Sequence, residues 1–443
     1  MNQPTLGVVF FPAFDWMISE QHPERQERLL YTRDQLLEEG LFDLPEIREY
    51  RPQLAPWRAI ERVHAASPNL SSHVTDAHRV SAGGAITAGK LVLDGLTKRS
   101  FALVRPPGHH AMRIVHGIRG FCTINIEAVM IEALRQQYGV KRVAIVDTDV
   151  HHGDGTQDIF YHDPNTLYIS LHQDGRTLYP GSGFPNEAGS PAAWGTTINL
   201  PLLPGTGDKG VLTLMDELIR PILDDFQPDL VINSAGQDNH FTDPLASMSV
   251  TAQGYAQLAE KLQTDIAVLE GGYSIEAALP YVNTGIVLSM AGLDYSQVRE
   301  PIPMTRQADG PKNMARVREL IDYWRVAWQA RTAKQQEELQ KANGEWRRKK
   351  NIYYDEAGIQ EEQHEVVRYC PRCSGYRVFE SRAWHPSLGE QSVAAVFVGR
   401  DACLSCLESA REEAGRYARS HKWQQVVLEN GRDDCREEMG GNS

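Results

Sequence analysis

Five short apolar runs rich in β-branched residues constrain this chain most: residues 101–105, 142–147, 166–172, 229–234 and 265–270. Each gives way to a loop of Gly, His, Asp or Pro, and amphipathic stretches fill the intervals between them. Short apolar runs alternating with helical periodicity predict βαβ units, hence an α/β fold with a mainly parallel sheet flanked by helices. In such a sheet ligands bind beyond the carboxyl ends of the strands, so the polar residues after these runs are candidates for one shared site.

At 443 residues the chain has room for one large domain and an appendage. Its character changes after about Glu300: Pro301-Ile302-Pro303 marks a break, and the segment from Lys312 to about Lys350 is strongly helical in propensity. The expected organisation is a main domain over residues 1–300, a helical linker with a basic cluster over residues 301–365, and a small cysteine-bearing domain with a C-terminal helix over residues 366–443. Leu320, Ile321, Tyr323, Trp324, Trp328 and Leu339 give the linker a partial apolar face, and Arg347-Arg348-Lys349-Lys350 ends it. That cluster is read as a solvated helix end favourable for the dipole, with a nucleic-acid contact as the alternative.

The formal net charge of −13 argues against a surface that binds nucleic acid as a whole. The start Met1-Asn2-Gln3-Pro4-Thr5 lacks the basic and apolar regions of a secretory leader, and no stretch approaches the length of a membrane span. The expectation is a cytoplasmic protein with no membrane partner. Six cysteines, four of them in two Cys-x-x-Cys pairs, suit reduced thiols better than a disulfide framework.

The most informative motif is Asp147-Thr148-Asp149-Val150-His151-His152-Gly153-Asp154-Gly155, directly after an apolar strand. Side chains alternate in an extended chain, so Asp147, Asp149 and His151 are expected on one side, able to converge on a cation. Imidazole and carboxylates together favour zinc or a similar divalent ion over calcium or magnesium, and three protein ligands leave the open position that catalysis needs. Another carboxylate, Asp238, follows a later strand in Ser234-Ala235-Gly236-Gln237-Asp238-Asn239-His240. Taken alone, Asp149 and His151 are also compatible with an ordinary capped loop.

Arg105-Pro106-Pro107-Gly108-His109-His110-Ala111 supplies two adjacent histidines, and Asp147 and Asp154 are carboxylates free to pair with them. A carboxylate on the far ring N–H fixes a histidine's tautomer and raises its basicity, which suits a general acid/base. In Leu269-Glu270-Gly271-Gly272-Tyr273 the paired glycines permit a close turn that puts the phenol over the site. There its O–H can stabilise an oxyanion; a buried core tyrosine is the competing reading.

Together these motifs resemble the histone deacetylase family, particularly the bacterial deacetylase-like amidohydrolases with an arginase-like α/β fold. The likeness spans approximately residues 7–295 and includes His22-Pro23-Glu24-Arg25, Gly120-Phe121-Cys122, Ser170-Leu171-His172, Tyr179-Pro180-Gly181-Ser182-Gly183 and Asp243-Pro244-Leu245. It implies that Asp149, His151 and Asp238 bind a catalytic zinc, that His110 supported by Asp154 is the general acid/base, and that His109 pairs with Asp147 as an electrostatic partner. It also implies that Tyr273 polarises the scissile carbonyl and that Gly120, Phe121, Tyr179 and Leu245 border a narrow acyl-lysine channel. A structural potassium site using Asp147, Asp149, His151, Ser170 and Leu171, mostly through backbone oxygens, follows from the same resemblance.

Two departures stand out. Where the family commonly has adjacent asparagines after Gly-Phe-Cys, this chain has Thr123-Ile124-Asn125-Ile126, which changes the packing behind the site. Position 245 is leucine, where polyamine-selective relatives use a glutamate for a cationic substrate chain. This favours acetyl-lysine over a small acetylated amine, unless acidic residues arrive from other loops. A manganese ureohydrolase would need further aspartates, and a non-catalytic acyl-amine binding module would be expected to have lost a ligand, a histidine or the tyrosine.

Cys370-Pro371-Arg372-Cys373 and Cys403-Leu404-Ser405-Cys406 form two knuckles with β-prone residues 376–379 and 393–398 between them. Four thiolates suit a tetrahedral structural zinc, and the span resembles a zinc ribbon with a long insertion. Paired reduced cysteines in a small core, or a redox pair, are the alternatives. Arg368, Arg372 and Arg377 beside the basic cluster leave nucleic acid open as a partner, next to a protein partner or a homo-oligomer contact.

Overall fold

The computed structural model describes residues 3–14 and 16–440. The main sheet contains β1 (Leu6–Phe11), β2 (Ile47–Tyr50), β3 (Arg99–Val104), β4 (Val143–Asp147), β5 (Thr166–Gln173), β6 (Thr197–Leu202), β7 (Leu230–Ala235) and β8 (Ile266–Leu269). They lie in the order β2-β1-β3-β8-β7-β4-β5-β6 with every neighbouring pair parallel. Strands β4, β5, β6 and β8 are buried at every residue, as helices on both faces require. Alternation divides each strand between two cores: Ala144 and Val146 join one, Val143 and Ile145 the other.

The strand order explains the site. The five runs read from the sequence are β3, β8, β7, β4 and β5, which are consecutive neighbours. Their carboxyl-terminal loops therefore open side by side. The strands not anticipated, β1, β2 and β6, extend this block at its two flanks.

Helix Pro311–Ala342 does not hang free between domains. Val317, Leu320, Ile321, Trp324 and Trp328 are buried in the main core, and Trp324 Nε1 donates to Asn199 O at 2.9 Å. The helix also stops short of the expected Lys350. Asn343 adopts φ +47°, and residues 345–354 form a strand. The basic cluster therefore lies in that strand and is no helix end. Its residues alternate: Arg347 and Lys349 face solvent, whereas Arg348 and Lys350 turn inward to Asp158 at 2.6 and 2.5 Å. High helical propensity of Arg and Lys concealed this period of two, because tertiary ion pairs overrode it.

The C-terminal sheet contains β9 (Glu345–Tyr354), β10 (Ile359–Cys370), β11 (Cys373–His385), β12 (Gly389–Val398), β13 (Gln425–Asn430) and β14 (Cys435–Glu438), paired in sequence order. Only β12 and β13 are parallel, joined through helix Leu404–Ser420. The anticipated β-prone segments fall within β11 and β12. This sheet packs on the main domain: Phe379, Val393, Ala395 and Phe397 cluster with Ala65 and Ile114, and Ile352, Tyr354 and Ile359 with Met112. Ion pairs from Arg58 to Glu429 and from Arg62 to Asp434 close its far side. Among the described residues no helix is long and apolar enough to cross a membrane.

Trp324→Ala should destabilise the whole protein by about 3–5 kcal/mol, since a large fully buried side chain and its hydrogen bond are lost together. Urea unfolding measures this; a change below about 1 kcal/mol would show that the helix is a detachable linker.

Candidate active site

β4 ends at Asp147, and the chain bends through the next four residues. Strand alternation therefore stops where the expectation relied on it, and Asp147 parts from Asp149 and His151. Asp149, His151 and Asp238 converge instead, with ligand atoms all within 4.8 Å of one another. His151 Nδ1 lies 3.1 Å from Asp149 Oδ1 and 3.2 Å from Asp238 Oδ2. Backbone N–H groups aim both carboxylates: Gly271 donates to Asp149 Oδ2 at 2.7 Å, and Val150 to Asp238 Oδ1 at 2.8 Å.

This donor set fits a divalent cation. Burial pushes Asp238 up to about 7, with the Asp149 carboxylate adding to the effect. Against the same burial, Asp149 and Asp238 hold His151 up to about 10. Two buried acids crowding one imidazole is the arrangement a metal with nitrogen and oxygen ligands relieves. The cradle also needs glycine: a Cβ on residue 271 would lie 2.3 Å from Asp238 Oδ2 and 2.5 Å from Asp149 Oδ2.

The two histidines sit beside this triad, their ring centroids 4.2 Å apart. His110 Nδ1 is 2.9 Å from Asp154 Oδ1, and His109 Nδ1 is 3.2 Å from Asp147 Oδ2. Asp147 is further held by the Tyr168 hydroxyl at 2.8 Å. The pair is driven apart electrostatically. Burial, followed by the neighbouring His109 cation, pulls His110 down to about 3. His109 is raised well above the ordinary histidine value because Asp149 and Asp147 outweigh its burial. The two adjacent rings are thus pushed in opposite directions, His110 toward the neutral form and His109 toward the cation.

Tyr273 is buried beneath the guanidinium of Arg28, 4.9 Å from the ring centroid. Burial keeps its phenol protonated, well above the usual tyrosine value, so its O–H is a donor. The Phe121 ring meets Tyr273 edge-on at 5.4 Å, and Tyr179 meets His110 edge-on at 5.2 Å. Phe121 has φ +69°, a left-handed conformation that costs a non-glycine residue about 1 kcal/mol or more. Paired hydrogen bonds between Arg119 and Cys122 hold that turn. Leu245 lies on the loop where Asp243 accepts Leu245 N–H at 2.9 Å and Tyr273 N–H at 2.7 Å. Ser170 pairs in register with Asp147, and Leu171 follows it along β5.

Sequence reading missed the groups that hold this cluster in place. Arg119 grips both oxygens of Asp154, at 2.7 and 2.6 Å. Glu24 lies between Arg28 and Arg105, all three fully buried. Arg28 also donates to Gly272 O at 2.7 Å and Glu270 O at 2.5 Å, fixing the Gly-Gly turn. Glu270 receives Gly108 N–H at 2.8 Å and His109 N–H at 3.0 Å. One signal was present, since Arg28, at the start of helix Glu27–Glu38, stands four residues after the motif residue Glu24. Asn125, at the departure noted above, caps helix Ile126–Tyr138 and donates to Thr156 at 2.8 Å, so it packs behind the site.

At the far end of the molecule, Cys370 and Cys373 close the β10–β11 turn, while Cys403 and Cys406 begin helix Leu404–Ser420. Their sulfurs all lie within 4.8 Å of one another. A backbone N–H from Arg372 holds the Cys370 thiol down at about 6, which favours the thiolate a soft metal binds.

A model of the histone deacetylase domain matches residues 66–287. The chain is similar to a protein named probable deacetylase from Archaeoglobus fulgidus, 45% identical over 325 residues that make up 67% of this chain and 89% of that protein. It is also similar to the histone deacetylase-like amidohydrolase of Pseudomonas aeruginosa, 37% identical over 233 residues, 51% of this chain and 60% of that protein. Among solved structures, the crystal structure of the HDA15 HD domain superposes with a TM-score of 0.65 at 28% identity, covering 76% of this chain and 99% of that chain.

Gly271→Ala should weaken metal binding at the Asp149, His151 and Asp238 cradle by roughly 10–100-fold, since the added methyl displaces both carboxylates. Metal titration of the purified variant tests this, and wild-type affinity would rule out the cradle as a metal site.

Proposed function

The chain belongs to the histone deacetylase family and is a hydrolase, and we propose that it removes the acetyl group from N-acetylated amines, acetyl-lysine in a protein foremost. The observation that carries this reading is the meeting of three kinds of group at one point: the Asp149, His151 and Asp238 cradle, the His110–Asp154 pair and the buried Tyr273. Leucine at position 245 favours acyl-lysine over an acetylpolyamine.

Asp149, His151 and Asp238 would hold a zinc ion. Zinc bound there supplies Lewis acidity toward the acyl carbonyl and lowers the pKa of water to near neutrality. His110 has its Nδ1 engaged by Asp154, which leaves Nε2 to take a proton from the attacking water. Burial and the neighbouring His109 charge keep it neutral before the transfer. The water oxygen bonds to the carbonyl carbon, and Tyr273 donates its O–H to the oxygen on which negative charge gathers. His110 then returns the proton to the departing nitrogen, the C–N bond breaks, and acetate and the free amine result. Asp154, held by Arg119, steadies the His110 imidazolium between the two transfers, while the His109 cation beside Asp147 offsets the negative charge of the pocket. Phe121 and Tyr179 form the walls that receive the acylated side chain.

A structural potassium ion among Asp147, Asp149, His151, Ser170 and Leu171 is part of the same proposal, supported by the register that sets Asp147 beside Ser170. The four clustered cysteines would bind a second, structural zinc, which tethers the start of helix Leu404–Ser420 to the β10–β11 turn. None of the six cysteines forms a disulfide, in keeping with a reducing compartment, and we place the protein in the cytoplasm.

Tyr273→Phe should keep its zinc and lose about 10²–10³-fold in kcat on an acetyl-lysine peptide. Unchanged turnover would refute the oxyanion role. Metal analysis of the wild type should give two zinc ions per chain, and Cys403→Ser/Cys406→Ser should retain one; two remaining in that variant would remove the structural site.

A further inference from the structure

The β9–β10 hairpin ends in Asp355-Glu356-Ala357-Gly358, and this tip of the C-terminal domain rests on the walls of the acyl channel. Asp355 Oδ1 accepts Gly120 N–H at 2.9 Å and the Tyr179 hydroxyl at 3.3 Å. One carboxylate thus spans from the residue before Phe121 to the opposite wall. The Glu356 carboxylate lies 3.4 Å from His22 Nε2, and the His22 ring meets Phe121 edge-on at 4.3 Å. The tip is anchored from behind by Tyr354, which is buried with its hydroxyl donating to Ile114 O and Glu361.

The charge balance there is negative. Arg119 lies beside the tip, 5.5 Å from the Tyr179 ring centroid, and donates to Tyr353 O at 3.2 Å. Its amino groups are nonetheless committed to Asp154, so those two charges cancel. His22 is the other basic side chain in contact with the tip. Both bonds to Asp355 use Oδ1, and among the described residues no protein donor bonds Oδ2 of this partly exposed carboxylate.

Acylation removes the charge from the amine that enters the channel. Any recognition by charge must then come from a second group on the same substrate, outside the walls. We propose that Asp355 and Glu356 form a specificity-determining lip that binds an ammonium or guanidinium adjoining the acylated arm, so that preferred substrates are acylated amines carrying another positive charge. The inference rests on the deacetylase reading for its acyl group. The second charge could belong to a lysine or arginine flanking acetyl-lysine in a peptide, or to the remainder of a polyamine chain.

The test compares acetyl-lysine peptides flanked by arginine or by glutamate, together with a monoacetylated polyamine and an acetylated alkylamine of equal length. Wild type and D355N/E356Q are assayed for both kcat/KM and binding by fluorescence anisotropy. Asn at 355 keeps an oxygen for Gly120 and Tyr179 while removing the charge. We expect a preference for the arginine-flanked peptide of about ten-fold at low ionic strength, shrinking with added salt and falling to near unity in the variant. E356K alone, at an exposed position, should reduce the preference too. A polyamine preference abolished by the same variant would assign the lip to small amines, and its absence to peptides. Equal affinity of wild type for both peptides, or a preference that the variants retain, overturns the lip. Charge-dependent binding without any turnover would leave the lip standing and overturn the deacetylase reading.

Discussion

Charge burial at the carboxyl ends of five neighbouring strands is the constraint around which this molecule is arranged. Asp147, Asp149, Asp154, Asp238, Asp243 and Glu270 are all buried within one pocket. Isolated ionised groups at such depth cost several kcal/mol each, so the fold must supply compensation. It does so in two ways. Arg119 pairs with Asp154, and Arg28 with Arg105 neutralises Glu24 beneath the Gly-Gly turn. Backbone N–H groups from Gly271, Val150, Tyr273 and His109 satisfy the others. Asp149 and Asp238 still converge on the single imidazole of His151 despite these backbone donors, and a dication fits among the three.

The chemistry depends on unequal environments for like residues. His109 and His110 are adjacent in sequence and equally buried, yet the first faces two carboxylates and the second shares its carboxylate with Arg119. Burial lowers His110 basicity most, the His109 cation lowers it further, and Arg119 adds a smaller effect by drawing on Asp154. The opposite shifts of two adjacent imidazoles follow from placement, with no difference in residue type.

Much of this site was legible because its residues come in compact runs after apolar strands. The five runs gave five adjacent strands, and Asp149, His151, Asp238, His109, His110 and Tyr273 were all identified from the loops behind them. What was hidden depended on three-dimensional partners. Arg119 carries no local signal that its guanidinium turns inward to Asp154. Asp147 reads as a fellow of Asp149 by alternation, and only the bend after β4 separates them. The basic cluster reads as helix because propensity is local, whereas the partners of Arg348 and Lys350 are Glu365 on the next strand and Asp158, 190 residues from Arg348.

The strand at residues 345–354 decides how the C-terminal domain is joined to the candidate site. Had residues 345–354 been a solvated helix end, the sheet beyond would have been an appendage on a tether. As a strand, the segment is tied to Asp158 through Arg348 and brings Tyr353 O to Arg119 and Asp355 to Gly120 at its far end. Tyr353 O holds Arg119, Arg119 holds Asp154, and Asp154 holds His110, so a continuous line of hydrogen bonds runs from the second domain to His110. An enzyme that orients its base through a neighbouring domain is sensitive to how that domain docks. The buried apolar patches of Phe379, Phe397 and Ile352 against Ile114 and Met112 keep that docking rigid, and with it the geometry of the dyad.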